Sequence, residues 1–351
     1  MPHPGILAVG QALPPHYATQ EELIAALRKL WAKEHFNLAR LEGLHRSVRV
    51  GGRHLALPLD AYEGIRSFAA ANRAWTECAV ALGAEAIERA LDRAGLAPRD
   101  VDHVLFTTVT GIAAPSIDAR LVNRLGLRSD VKRTPMFGLG CAAGAAGIAR
   151  AADVLRGGPD EVALLLSVEL CSLTLQRDDH SIPNVIASGL FGDGAAAVVL
   201  GGAARARSPR VVATQSVFYT DTEWVMGWNV VDSGFQVVLS ARVPELVRER
   251  VGPDVDRFLG AHGLARADVA EWICHPGGPK VLEAFAEALA LPHETFARTW
   301  RSLESVGNLS SASVLFVLGD TLASTRAAAG DYGLLLAMGP GFGAELVLLQ
   351  W

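Results

Sequence analysis

The sequence predicts an internally duplicated α/β fold, and three observations carry that prediction. Strand-length apolar runs alternate with longer helical stretches along the 351 residues, the order expected of mostly parallel sheets covered by helices on both faces. A seam of small residues and proline, Gly201-Gly202-Ala203-Ala204 and Ser208-Pro209, divides the chain. The order β–α–β–α–β on its far side repeats the order before it, without visible identity between the halves. The expected units are 1–205 and 206–351.

Taken in order, Gly5 to Gly10 is a first strand, and Thr19-Gln20-Glu21-Glu22 caps a helix that runs to about Ala32. His35 to Tyr62 reads as irregular and rich in Arg and His. Either it is a solvated surface or a basic loop that meets a phosphorylated ligand. Asn72 to Ala94 is a long amphipathic helix, punctuated by Pro98. Val101 to Val109 is apolar enough to sit inside a parallel sheet, and Ser116 to Leu125 is helical. A strand ends at Phe137, an Ala-rich helix covers Ala142 to Leu155, and strands cover Glu161 to Ser167 and Ala195 to Leu200. Beyond the seam come a strand at Val211 to Phe218 and a helix from Pro244 to His262. The short strand Glu271 to Cys274 precedes helices at Pro279 to Leu291 and Ser310 to Ala328. Strands at Tyr332 to Met338 and Glu345 to Gln350 close the chain.

Half the residues are apolar and a fifth charged, the composition of a globular protein with ample core. A net charge of -5 with no basic run argues against a nucleic-acid partner. The four cysteines, Cys78, Cys141, Cys171 and Cys274, form no CxxC pair and no dense pattern, which points to a reducing cytoplasm. The N-terminus lacks the pattern of a signal peptide. Apolar runs such as Leu334 to Met338 are too short to span a bilayer.

The stretch Gly138-Leu139-Gly140-Cys141-Ala142-Ala143-Gly144 sets one cysteine at the start of a helix. Unpaired N–H groups and the helix dipole favour an anion there, so the thiol is expected to ionise more readily than a free one. A buried structural cysteine is the alternative. A nucleophile needs a base and a group that holds developing negative charge. His275, which opens Pro276-Gly277-Gly278, and Asn308, in Gly307-Asn308-Leu309-Ser310, are polar tips beside glycine-rich turns. Taken singly, a satisfied structural histidine and an ordinary helix cap explain them as well.

Five segments occur in one order: Gly138 to Gly144, Leu190-Phe191-Gly192-Asp193-Gly194, His275-Pro276-Gly277-Gly278-Pro279, Gly307 to Ala312, and Gly339-Pro340-Gly341-Phe342-Gly343. Together they resemble the type III polyketide synthases, the chalcone synthase-like family of thiolase-fold enzymes, across nearly the whole chain. The resemblance implies a duplicated αβαβα fold, a homodimer, and iterative condensation of malonyl-CoA onto an acyl-CoA starter without a carrier protein, metal or redox cofactor. It implies that Cys141 carries the acyl group as a thioester, that His275 pairs with its thiolate as imidazolium, and that His275 and Asn308 hold the malonyl thioester oxygen. Phe191 corresponds to a gatekeeper aromatic, Gly339 to a loop shaping the cavity wall, and Ser310 to a cavity-lining serine. Thr110 and Ala114 correspond to the loop that reaches the partner subunit. Arg40, Arg46 and Lys280 are the choices for coenzyme A phosphates.

The departures concern the cavity. Ala114 stands where plant chalcone synthases have methionine, Val237 where a second gatekeeper phenylalanine lies, and Trp228 where glycine lies. A phenylpropanoid starter does not fit such a cavity. The segments Glu169 to Gln176 and Gly341 to Leu346 look like bacterial members that make alkylpyrones or alkylresorcinols from fatty acyl-CoA. Two rivals remain: a β-ketoacyl synthase III that condenses once, and a catalytically silent subunit of a dimer.

Overall fold

Two of the longest strands have no exposed face. Val162–Leu170 and Asp193–Gly201 are buried at every position, so both faces must be covered by helices. The computed structural model, which describes residues 3–31 and 37–351, has this cover. Its first half holds β1 (Gly5–Ala12), β2 (His16–Thr19), α1 (Gln20–Trp31), α2 (Leu38–Ser47), β3 (Gly52–Leu55), α3 (Phe68–Ala94), β4 (His103–Thr108), α4 (Ile117–Leu125), β5 (Lys132–Phe137), α5 (Ala143–Arg156), β6 (Val162–Leu170), α6 (Ile182–Leu190) and β7 (Asp193–Gly201). Its second half holds β8 (Arg210–Phe218), β9 (Met226–Val231), β10 (Gly234–Leu239), α7 (Val243–Gly260), β11 (Val269–Cys274), α8 (Pro279–Leu289), α9 (Ala297–Val306), α10 (Ser313–Ser324), β12 (Tyr332–Gly339) and β13 (Gly343–Gln350).

Alternation along each strand sorts side chains into layers. In β6 and β7, Val162, Leu164, Leu166, Ala195, Ala197 and Val199 face outward, against α3. Ala163, Leu165, Ala196 and Val198 face inward, in one cluster with α5 and α10. In β12, Leu334 and Leu336 join the cluster of α7 and α8, while Leu335 and Ala337 face the centre. The result is helix, sheet, helix, sheet, helix, the αβαβα layering that the resemblance implies. The central layer is thin because α5 is built of alanine and glycine. A Cβ on Gly144 would lie 2.3 Å from the Ser311 carbonyl oxygen.

The strand order is β11-β12-β13-β8-β1-β7-β6-β4-β5, so the run β11-β12-β13-β8 repeats the run β4-β6-β7-β1. The two runs touch where Gly5 opposes Arg210. The sheet is mixed rather than mostly parallel: β11 with β12, β4 with β5 and β4 with β6 are parallel, and the remaining pairs are antiparallel. Chain length explains the difference. Three residues between β12 and β13 cannot make a crossover, and α6 packs mainly on α2 and β10 instead of returning across the sheet.

Other boundaries also move. The stretch read as irregular contains α2, capped by the Asn37 side chain, and β3; its residues 35 and 36, like the expected helix end at Ala32, lie outside the described residues. α3 begins earlier than read, at Phe68, because Ser67 accepts from Ala70 N–H. The helices expected at Ala142 and Ser310 each begin with one tight turn, Gly140–Ala142 and Ser310–Ala312, before the α-helix proper. The β9–β10 hairpin forms a separate two-stranded sheet.

Candidate active site

Each of the three candidate residues sits where an element stops abruptly. Cys141 is in the tight turn after β5, and Gly140 must be glycine there: its φ is 47°, and a Cβ would lie 2.6 Å from the Pro340 ring. His275 ends β11. Its N–H donates to Leu336 O at 2.9 Å, and Pro276 prevents the ladder from continuing. Asn308 follows Gly307, whose φ of 74° turns the chain out of α9. Its N–H donates to Leu190 O at 2.9 Å, and its carbonyl accepts from Gly192 N–H at 3.0 Å. That pair of bonds clips Asn308 beside Phe191.

The three side chains line one narrow pocket of about 50 Å³, with Ser310, Phe191, Trp228 and Val237 in its wall. Cys141 Sγ donates to Ser310 Oγ at 3.6 Å. The Asn308 carboxamide is oriented: Oδ1 accepts from Ser310 N–H at 2.8 Å, and Nδ2 reaches Gly277 O at 3.4 Å. Both ring nitrogens of His275 are buried without a hydrogen-bond partner. A buried donor left unpaired is costly, and here it lies on the pocket wall.

Burial bears on the protonation of both Cys141 and His275. Burial pushes the Cys141 thiol up to about 12, against the opposing pull of the Ser310 hydrogen bond, and it pushes His275 down to about 3. Desolvation disfavours each charge separately.

The wall residues fall into place through the hairpin. Trp228 and Val237 are directly opposed across β9 and β10, and the Trp228 ring lies 6.1 Å from the Phe191 ring. These three residues also border a second chamber of about 740 Å³, enclosed by α1, α6 and the segment around Tyr62. Gly339 fits because a Cβ there would lie 2.5 Å from Leu139 O and 2.6 Å from Ala142 N, inside the Cys141 turn.

Other candidates lie elsewhere. Thr110 is not on the pocket wall; its hydroxyl donates to Glu169 at 2.9 Å and accepts from Leu170 N–H at 3.0 Å. Ala114 is exposed, beside a cis Ala114–Pro115 bond. Arg40, Arg46 and Lys280 are exposed and border neither cavity. Arg46 is committed to Glu21 at 3.2 Å and to Glu42 at 3.5 Å.

Sequence reasoning missed Glu169. Its fully buried carboxylate accepts from Val109 N–H at 3.0 Å, from Thr110, and from the Ser311 hydroxyl. It ties β4 and β6 to the turn that follows Asn308. The signal was present as a lone carboxylate inside the apolar strand Val162–Leu170.

Comparison with known proteins agrees with this geometry. The family model for the N-terminal domain of chalcone and stilbene synthases matches residues 3–204, and that for the C-terminal domain matches residues 210–351. The chain is 53% identical over 350 residues to a 1,3,6,8-tetrahydroxynaphthalene synthase of Streptomyces peucetius subsp. caesius, covering 99% of this chain and 93% of the relative. It is 32% identical over 341 residues to a phloroglucinol synthase of Pseudomonas fluorescens, covering 96% of each. The crystal structure of the 1,3,6,8-tetrahydroxynaphthalene synthase of Streptomyces coelicolor superposes with a TM-score of 0.94 at 31% identity, over 99% of both chains. With both halves matched and the fold shared, this chain belongs to the chalcone and stilbene synthases, the type III polyketide synthases, which condense malonyl-CoA without a resident cofactor.

Proposed function

We propose that this enzyme builds an aromatic polyketide from malonyl-CoA alone, closing it to a tetrahydroxynaphthalene-type product, with Cys141, His275 and Asn308 as the catalytic residues. One observation carries the roles: three side chains far apart in sequence share a narrow pocket, one with a sulfur and two with unspent or weakly used N–H groups. His275 takes the Cys141 thiol proton, Sγ attacks the acyl thioester, and coenzyme A leaves as its thiol with that proton. A malonyl thioester then enters, with its carbonyl oxygen toward His275 and Asn308 Nδ2. Loss of carbon dioxide leaves an electron pair on that oxygen. Fixed donors in a dry pocket hold it better than the neutral carbonyl. The enolate carbon attacks the Cys141 thioester, sulfur leaves, and the lengthened chain reloads.

The product assignment rests on the naphthalene synthase relatives, in place of the alkylpyrone reading. A skeleton oxygenated on alternate carbons is what an acetate-derived chain gives on folding. Purified protein with malonyl-CoA as sole substrate, followed by mass spectrometry of products, tests it. An aromatic product without added starter is expected; a requirement for another acyl-CoA overturns it.

The chamber beyond Phe191 favours a second reading. Its apolar walls of Leu23, Leu27, Leu55 and Leu175 suit an alkyl chain reaching out from Cys141, so a fatty acyl starter is a further substrate. The halves 1–205 and 206–351 act as one catalytic unit in this scheme.

We take the enzyme to be a homodimer. Phe137, Trp224 and Val230 are large apolar residues left exposed around one surface pocket, and a contiguous apolar surface favours an interface. Ala114 then approaches the partner's cavity. Arg40 and Lys280, which make no ion pair among the described residues, serve coenzyme A phosphates better than Arg46. The free thiols Cys78, Cys141, Cys171 and Cys274 fit a cytoplasmic site of action.

A further inference from the structure

Trp228 and Val237 of the β9–β10 ribbon, with Phe191 at the end of α6, border both the 50 Å³ pocket and the 740 Å³ chamber, and so form the partition between them. A two-stranded ribbon is marginal on its own, so its angle to the body must be fixed by other groups. Its base is closed where Ser240 N–H donates to Val225 O at 2.9 Å. Its tip is gripped by one buried side chain, Gln176. Nε2 of Gln176 donates to Phe235 O at 3.1 Å and to Thr174 O at 3.2 Å, and its Oε1 accepts from the Ser233 hydroxyl. The donor and acceptor ends of the amide are both engaged. A second contact, from Gln236 to Asp179 at 3.1 Å, lies beside it. The gripping segment is itself fixed on α6: Asn184 Nδ2 donates to Gln176 O at 2.8 Å and to Asp179 O at 2.6 Å. One helix therefore anchors the ribbon tip near its start and presents Phe191 at its end.

We infer that Gln176 is a positioning residue for product specificity: by holding the ribbon tip to the start of α6, it fixes how Trp228 and Val237 stand against Phe191, and with them the partition that a growing chain meets. The inference rests on the proposed condensation at Cys141 and not on which product is released. The Trp228 and Phe191 rings are 6.1 Å apart, close enough for a small swing of the ribbon to change what the partition admits. A cavity of about 280 Å³ lies beside the clamp, lined in part by Gln176, Asp179, Ser233 and Gln236, so a released tip has room to move. The bonds of the clamp run to the ribbon, to Thr174 and to α6. They do not reach the turns that carry Cys141, His275 and Asn308, so the partition and the chemistry are separable.

Hydrogen exchange of the ribbon amides and mass spectrometry of products from malonyl-CoA, both on the full chain, test the clamp. Gln176→Met keeps the volume and deletes the side-chain bonds. The amides of β9 and β10 are expected to exchange about tenfold faster, the worth of one or two hydrogen bonds. The ratio of the chief wild-type product to the other products is expected to shift by about threefold or more, while the initial rate of carbon dioxide release is kept. Ser233→Ala, which removes one bond at an exposed position, is expected to shift exchange and product ratio the same way by less. Unchanged exchange, an unchanged product ratio in a loosened ribbon, or carbon dioxide release that falls in step with every product would each overturn the inference. The last would reduce Gln176 to scaffolding. If Gln176→Met does not fold, Ser233→Ala decides by the same criteria. A wild type that makes nothing from malonyl-CoA alone sinks the naphthalene reading, and the clamp is then scored with the acyl-CoA starter that the wild type accepts.

Discussion

The backbone N–H of Ser310 donates to the side-chain Oδ1 of Asn308 at 2.8 Å, and it can do so because Ser310 holds a left-handed φ of 48°. That bond decides which end of the carboxamide faces the pocket. Nδ2, a donor, is turned inward, where an enolate oxygen would need it.

Asn308→Asp keeps an acceptor for Ser310 N–H and removes the inward donor. Malonyl-CoA decarboxylation is expected to fall by about 10²–10³-fold, while Cys141 still loads starter. Radiolabelled starter bound to protein and carbon dioxide release measure the two steps separately. Equal loss of both would remove Asn308 from its assigned role.

Ser310→Gly keeps the left-handed backbone at no steric cost and deletes the hydroxyl that accepts from Cys141 Sγ. The fold and the Asn308 orientation should survive. The alkylation of Cys141 should shift to higher pH, because the hydrogen bond that lowers the thiol is gone. An unchanged pH profile of iodoacetamide labelling would show that the hydroxyl does not act on sulfur.

In the wild type the same labelling should be slow at neutral pH and rise steeply as the solution becomes alkaline, since burial lifts Cys141 to about 12. Rapid labelling near neutrality would mean that the thiolate–imidazolium pair forms in the resting enzyme.

His275 and His45 are held near 3 and 4 by burial, below the ordinary histidine value of 6.5. Their folded-state pKa values are depressed, so the unfolded chain binds more protons between those limits. Stability is full above about pH 6.5 and declines as acid is added. Asp193, raised to about 6 by burial, acts in the opposite sense over part of that window. His275→Gln should therefore flatten the fall in Tm between pH 6.5 and pH 4. A slope identical to wild type would mean His275 is charged when folded.

Trp228→Gly merges the Cys141 pocket with the chamber behind Phe191. Products with added acyl starters should lengthen or change, as read by mass spectrometry. An unaltered profile would take Trp228 out of the cavity wall.

The sequence was most readable where physics is local. Gly-rich turns around Cys141, His275 and Asn308 marked sharp element ends, and those ends converge. The alternation of apolar strands with helices gave the layers. Strand direction was harder, because it depends on where α6 packs, and α6 packs on α2, a helix hidden in a polar stretch. The burial of Cys141 and His275 was out of reach for a related reason: a sulfur at a helix start invites ionisation, but the closeness of the pocket emerges only when four distant segments assemble. Glu169 escaped because its partners, Val109, Thr110 and Ser311, come from both halves.

The β9–β10 hairpin stands apart from the nine-stranded sheet and is tethered to the body partly by side chains: Gln176 reaches Phe235 O at 3.1 Å, and Gln236 reaches Asp179 at 3.1 Å. Its two inward residues, Trp228 and Val237, can consequently be exchanged with little disturbance to the layers that hold Cys141, His275 and Asn308 in place. A lineage with this architecture can diversify its chemistry by editing one ribbon while its reaction centre stays constant.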